Sequence, residues 1–155
     1  MNKNIFNKKH IPYFIILSVI VISFLISVIF CSVKNKERRI FIFPSETNQK
    51  LVVERRLLEK DSIQGDIELY IDELLLGSTI ERTKLIFSSG TKIKSCFLRN
   101  GILYLNITDD LIRMDSNSMS IKEGIDLLKK NIMKNFNSVK AVELFINEQY
   151  AYENL

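Results

Sequence analysis

The chain has 155 residues and a formal net charge of +4, with two cysteines, one histidine and no tryptophan. Lys3, Lys8 and Lys9 supply three of those charges, so 4 − 3 leaves +1 on everything from Lys34 onward. A nearly neutral remainder without a basic stripe makes a poor nucleic-acid binder. The single histidine, His10, lies near the amino terminus, which removes histidine-based acid–base work and His-ligated metal sites from the rest of the chain.

Residues 1–10 form a polar, lysine-bearing tail, and the run from Ile11 to Val33 (IPYFIILSVIVISFLISVIFCSV) carries no charge. At ~1.5 Å per residue it extends about 34 Å as a helix, against a hydrocarbon core of ~30 Å. It is also longer than the roughly 7–15-residue apolar region of a cleaved signal. The expectation is a transmembrane signal anchor over 11–33, single-pass, with the domain on the extracytoplasmic side of a bacterial cytoplasmic membrane. Orientation rests on the short tail, because Lys3, Lys8 and Lys9 on one side nearly tie with Lys34, Lys36, Arg38 and Arg39 on the other. The alternative is a lipoprotein anchored at Cys31, although Phe30 stands where processing wants a small residue. Residues 34–39 read as a linker whose reach, ~21 Å at most, keeps the domain near the membrane. Residues 40–155 are long enough for one domain with one core.

Ile40 to Phe43 is a β-like run stopped by Pro44, and Ser45 to Lys50 a polar turn; Leu51 to Leu57 reads as a second strand with a charged middle. Asp61 and Gln64 resemble a capping pair before a helix with Ile67, Tyr70, Ile71, Leu74 and Leu75 on one stripe, closed by Gly77. Between Ser78 and Thr91 the cluster Leu85-Ile86-Phe87 tucks a loop onto the core. TKIKSCFLR and ILYLNIT flank Asn100-Gly101, a two-residue hairpin signal, since both central residues accept positive φ. That turn sets Arg99 opposite Ile102, Leu98 opposite Leu103, Phe97 opposite Tyr104 and Cys96 opposite Leu105. Cys96, Leu98, Leu103, Leu105 and Ile107 then face the core; Ile93, Phe97, Ile102 and Tyr104 face away.

Ser120 and Glu123 fit a capping box for a helix with Ile121, Ile125, Leu128, Ile132 and Phe136 on its apolar stripe, which Asn137 terminates. Val139 to Asn147 closes the domain as a strand with Val142, Leu144 and Ile146 alternating. The expected architecture is α+β: a single sheet of about five strands with two helices packed on one face, in the order ββαββαβ, preceded by one transmembrane helix.

The chemistry search returns no catalytic residue, metal site or cofactor. No Walker-type phosphate loop or dinucleotide fingerprint is present. Asp109-Asp110 reads as a loop or helix cap, Glu68 and Asp72 as a solvated helix face, and Cys96 as a small buried apolar residue.

FIFPSE…LVVERR, the helix ending DELLLG, the SSGTKIKSCFLRNGILYLNIT hairpin, and a final helix followed by VKAVELFIN together resemble the GerMN domain over about Arg39 to Asn147. That domain is named for a bacterial sporulation and germination protein. The chain departs from its pattern at Gly77-Ser78 in place of Gly-Pro, at Asn106 in place of an aspartate, and at Glu148-Gln149, where a turn glycine is missing. The resemblance implies an exported, membrane-anchored, non-enzymatic module of the cell envelope. Its partner would be another envelope protein or a second copy of itself, not nucleic acid. A small-ligand or cell-wall-binding domain is the alternative; an unrecognised hydrolase is the third and weakest. The candidate interaction surface is Ile93, Phe97, Ile102 and Tyr104 on the outer hairpin face, with Tyr150 and Tyr152 beyond the last strand, unless Leu85-Ile86-Phe87 covers that face.

Overall fold

The computed structural model describes residues 11–32, 36–47, 50–60, 62–113 and 118–151, with the side chains of the first helix described over 12–28. Two units separate, residues 1–35 and 36–155. The first holds helix α1, Ile11–Ser32. Among the described residues no helix is long and apolar enough to cross a membrane. The transmembrane anchor expected over 11–33 is corrected accordingly. A helix stands there, and Cys31 falls where side chains are not described.

The second unit runs β1 (Lys36–Pro44), β2 (Leu51–Glu59), α2 (Asp66–Leu75), β3 (Ile93–Arg99), β4 (Ile102–Ile107), α3 (Ile121–Asn135), β5 (Ala141–Ile146) and β6 (Gln149–Tyr150). The order ββαββαβ is observed, with a two-residue strand added at the end. The start of β1 at Lys36 takes up most of the stretch read as a linker.

The single five-stranded sheet is wrong. β1 and β2 form a sheet of their own, and β3-β4-β5-β6 form another. The reason is visible along the outer edge of β1, where alternate residues turn their backbone groups away from β2. Asn135 Oδ1 accepts the Ile40 N–H at 2.8 Å and its Nδ2 donates to the Ile40 carbonyl at 2.7 Å. Four residues earlier on α3, Asn131 does the same for Ile42, at 2.8 and 2.9 Å. At Pro44 there is no N–H to satisfy, and its carbonyl accepts Lys84 N–H at 2.9 Å. Side-chain amides thus occupy the edge where a neighbouring strand would bind, and the sheet stops there.

The core lies between these layers and the helices. Phe41, Phe43, Tyr70, Ile71, Leu74, Leu103, Leu105, Ile107, Leu128 and Ile132 are all buried. The Tyr70 hydroxyl donates to the Ile40 carbonyl at 2.8 Å, and burial pushes its pKa above the usual range. Asn131 is also fully buried, so the inward stripe of α3 is Gly124, Leu127, Leu128, Asn131 and Ile132. Ile121 and Ile125 lie half-buried beside it.

Other local expectations divide. Gly77 ends α2 at φ +95, and a Cβ there would meet Leu85 Cδ2 at 2.5 Å. The expected Asp61–Gln64 cap does not open α2: Gly65 holds the cap position, Gln64 Nε2 donates to Asp72 Oδ2 at 3.0 Å, and Asp61 lies outside the described residues. Ser120 holds the cap position of α3, its hydroxyl donating to Glu123 Oε2 at 2.7 Å rather than accepting a backbone N–H. Ile86 and Phe87 are buried as expected, against α3 at Gly124, where an added Cβ would stand 2.7 Å from the Ile86 carbonyl oxygen.

Candidate functional site

The Asn100-Gly101 turn places both residues at positive φ, 53° and 81°. It sets the expected register: Arg99 opposite Ile102, Leu98 opposite Leu103, Phe97 opposite Tyr104 and Cys96 opposite Leu105. β5 then joins β4 in parallel, with Tyr104 beside Glu143 and Asn106 beside Phe145. Period-two alternation sends Leu103, Leu105, Val142 and Leu144 inward, all buried, and turns Phe97, Tyr104, Phe145 and Tyr150 to the opposite face.

That face carries two aromatic pairs. Phe97 and Tyr104 stack with ring centres 5.0 Å apart and planes 13° from parallel. Phe145 and Tyr150 meet edge to face at 5.5 Å. Phe97 is 55% exposed, so the Leu85-Ile86-Phe87 loop, packed against α3, does not cover it. An apolar ring left this open on a sheet face is the kind of residue that anchors a partner.

Of the residues chosen from the sequence, Phe97, Ile102, Tyr104 and Tyr150 share this face, Ile102 and Tyr104 half-buried. Ile93 does not join them. The ladder slips between Ile93 and Ser95, which sets Ile93 opposite Ile107 and turns it toward the core. Tyr152 lies outside the described residues. Phe145 was missed, although its position out of phase with Val142 and Leu144 in VELFIN carries the signal. Leu98, assigned to the core, is 40% exposed because β3 is an edge strand, and Cys96 is half-buried. Burial, helped by the negative charges of Glu68 and Asp72, pushes the Cys96 thiol up to about 11, so it stays protonated at neutral pH.

Two further polar features stand apart from this face. An open cleft of about 540 Å³ is bounded by Asp72, Leu75, Leu76, Leu85, Lys92 and Ile93. Burial raises the pKa of Asp72 there. On the inner side of β2, Glu54 accepts Arg56 Nε at 2.8 Å, Ser78 Oγ at 2.8 Å and Thr79 Oγ1 at 2.6 Å. Arg56 in turn donates to the Gly77 carbonyl at 2.6 Å and lies 4.7 Å over the Phe41 ring. The guanidinium beside Glu54 holds its carboxyl down at about 2. This pair ties β2 to the end of α2. Among the described residues no three His, Cys, Asp or Glu side chains come together to hold a metal ion.

By sequence the chain matches no known family and no curated protein. By structure it is similar to the tandem GerMN domains of the sporulation protein GerM from Bacillus subtilis, at 16% identity and TM-score 0.58 over 76% of this chain. It spans only 41% of that tandem chain. The first GerMN domain of the same protein aligns at 13% identity and TM-score 0.60, over 74% of this chain and 86% of that one. A chain from Clostridium perfringens described as a candidate lipoprotein aligns at 16% identity, over 76% of this chain and 78% of that one, with a TM-score of 0.45, too loose to build on. Motif order in the sequence and superposition of the structure agree on one fold, that of the GerMN domain.

Proposed function

We propose that the domain is a non-catalytic binding module of the bacterial cell envelope, acting in sporulation or germination; the protein it resembles in fold is a sporulation protein. Its working surface is the open face of the four-stranded sheet. The exposed, stacked Phe97 on Tyr104 carries the reading: the ring is held rigid by its neighbour, costs little to order, and is free on one side. The test replaces Phe97 and Tyr104 singly by serine and reads melting temperature and crosslinking yield in cells. Lost crosslinking at nearly unchanged melting temperature is the expected result for Phe97→Ser. An unchanged crosslink pattern overturns the proposal. Protease added to spheroplasts, with digestion of the domain as the expected result, tests the envelope location.

The cleft beside Asp72 favours a second reading, a small-ligand or wall-binding domain, since its volume lies in the ~300–1,000 Å³ range of ligand sites. Co-sedimentation with purified peptidoglycan separates the two. Retention that survives Phe97→Ser and is lost in Asp72→Asn would move the function to the cleft.

A further inference from the structure

β2 is a nine-residue strand at the outer edge of a two-stranded sheet, and no strand pairs with that edge among the described residues. Its register with β1 runs from Lys36↔Glu59 to Pro44↔Leu51 without a shift. Ile40 and Ile42 turn their backbone groups outward to α3, so their partners Arg55 and Val53 turn theirs outward on the opposite edge, and Leu51 and Leu57 do the same by period two. The side chains at these positions are open as well: Leu51 is 47%, Val53 55% and Leu57 61% exposed.

Sheet edges are ordinarily blunted by a bulge, a proline or a lysine. β3, the other long edge, has two such devices, the slip at Ile93/Ser95 and the exposed Lys94. β2 contains no proline, no lysine and no bulge; the charges at its centre, which also guard edges, are Glu54 and Arg56, paired with each other on the inner side, and Arg55 on the solvent face.

The strand also reads as its own complement. Turned antiparallel on itself about Arg55, LVVERRLLE sets Val53 against Leu57 and Val52 against Leu58, each twice by symmetry; Glu54 and Arg56, already paired within each copy, also fall opposite one another without like charges meeting. The one like-charged meeting is Arg55 with its own copy, on the solvent face.

We infer that two copies of this chain pair through β2, antiparallel and centred on Arg55, to make a continuous four-stranded sheet β1-β2-β2-β1. This interface belongs to the two-stranded sheet and is independent of the aromatic face, so either can fail without the other.

The test uses the full-length chain in mild detergent. Wild type is expected to sediment as a dimer, and Val53→Pro as a monomer with an unchanged melting temperature, because that N–H faces the open edge and no backbone partner meets it among the described residues. Val53→Lys gives the same readout without altering the backbone. Register is read by oxidation: Arg55→Cys places two thiols across the axis within disulfide reach, ~5.5 Å between Cα atoms. It should crosslink several-fold more than Val53→Cys, whose copies stand four residues out of register. A wild type that stays monomeric at high concentration overturns the inference. So does equal crosslinking of the two cysteine variants, or a monomer whose β2 edge takes up an unrelated extended peptide.

Discussion

Asn131 holds Ile42 by both of its backbone groups, accepting the N–H at 2.8 Å and donating to the carbonyl at 2.9 Å. A side-chain amide has the same donor and acceptor spacing as a peptide group, so one residue of a helix closes one repeat of a strand edge. Asn131→Leu keeps the branching and the number of heavy atoms and leaves both groups of Ile42 buried without partners. The expected loss is about 3 kcal/mol, read by urea unfolding. A loss near zero would show that water replaces the amide.

Acid should weaken the fold through Glu54. Its pKa falls from 4.5 in the free residue to about 2 in the folded chain. A depressed carboxyl contributes stability that is fully present above the unfolded value and is lost as pH falls through the folded one. The loss from this group therefore runs from about pH 4.5 down to about pH 2, and Glu54→Gln should flatten that part of the stability profile. Equal pH dependence in both proteins would show that the clasp with Arg56 is not formed.

The turn after β5 should tighten when its missing glycine is restored. Asn147 and Glu148 sit at φ 48° and 72°, and the Glu148 N–H donates to Asn106 Oδ1 at 3.1 Å. Glu148→Gly relieves the left-handed backbone of a residue with a Cβ and should raise stability by about 1 kcal/mol. A lower melting temperature would refute this. The same contact gives Asn106, which stands where the GerMN pattern has an aspartate, a structural task.

Gly101 answers to the opposite change. At φ +81 its backbone strains a residue with a branched side chain, and Lys140 Cδ, 3.3 Å from an added Cβ, would have to shift slightly. Gly101→Val should cost about 1 kcal/mol or more in thermal unfolding. An unaltered melting temperature would be the contrary result.

The hairpin was legible from Arg99/Ile102 to Cys96/Leu105 because Asn-Gly fixes a turn type, and the turn type fixes the pairs up to the slip at Ile93/Ser95. Helix ends marked by Ser120 and Gly77 were legible for the same local reason. The division into two sheets was not. It depends on Asn131 and Asn135, which are separated in sequence from Ile42 and Ile40 by 89 and 95 residues. On a helix, asparagines four apart look like a solvated strip. Ile93 went astray on a smaller scale: a strand slip leaves no mark in an alternating pattern, and one extra residue exchanges the faces.

The amide seal on β1 has a dynamic consequence. A hairpin joined to its neighbours by strand ladders can leave only by breaking a continuous series of backbone bonds. Here the β1–β2 hairpin is held at its inner edge by two side chains of α3 and the Lys84 contact. Loss of those contacts, together with the Arg56 and Glu54 bonds to the end of α2, would release it as one unit while β3, β4 and β5 stay paired. Native-state hydrogen exchange should resolve two cooperative units, with the Ile40 and Ile42 amides opening together and at lower free energy than those of Leu103 and Leu105.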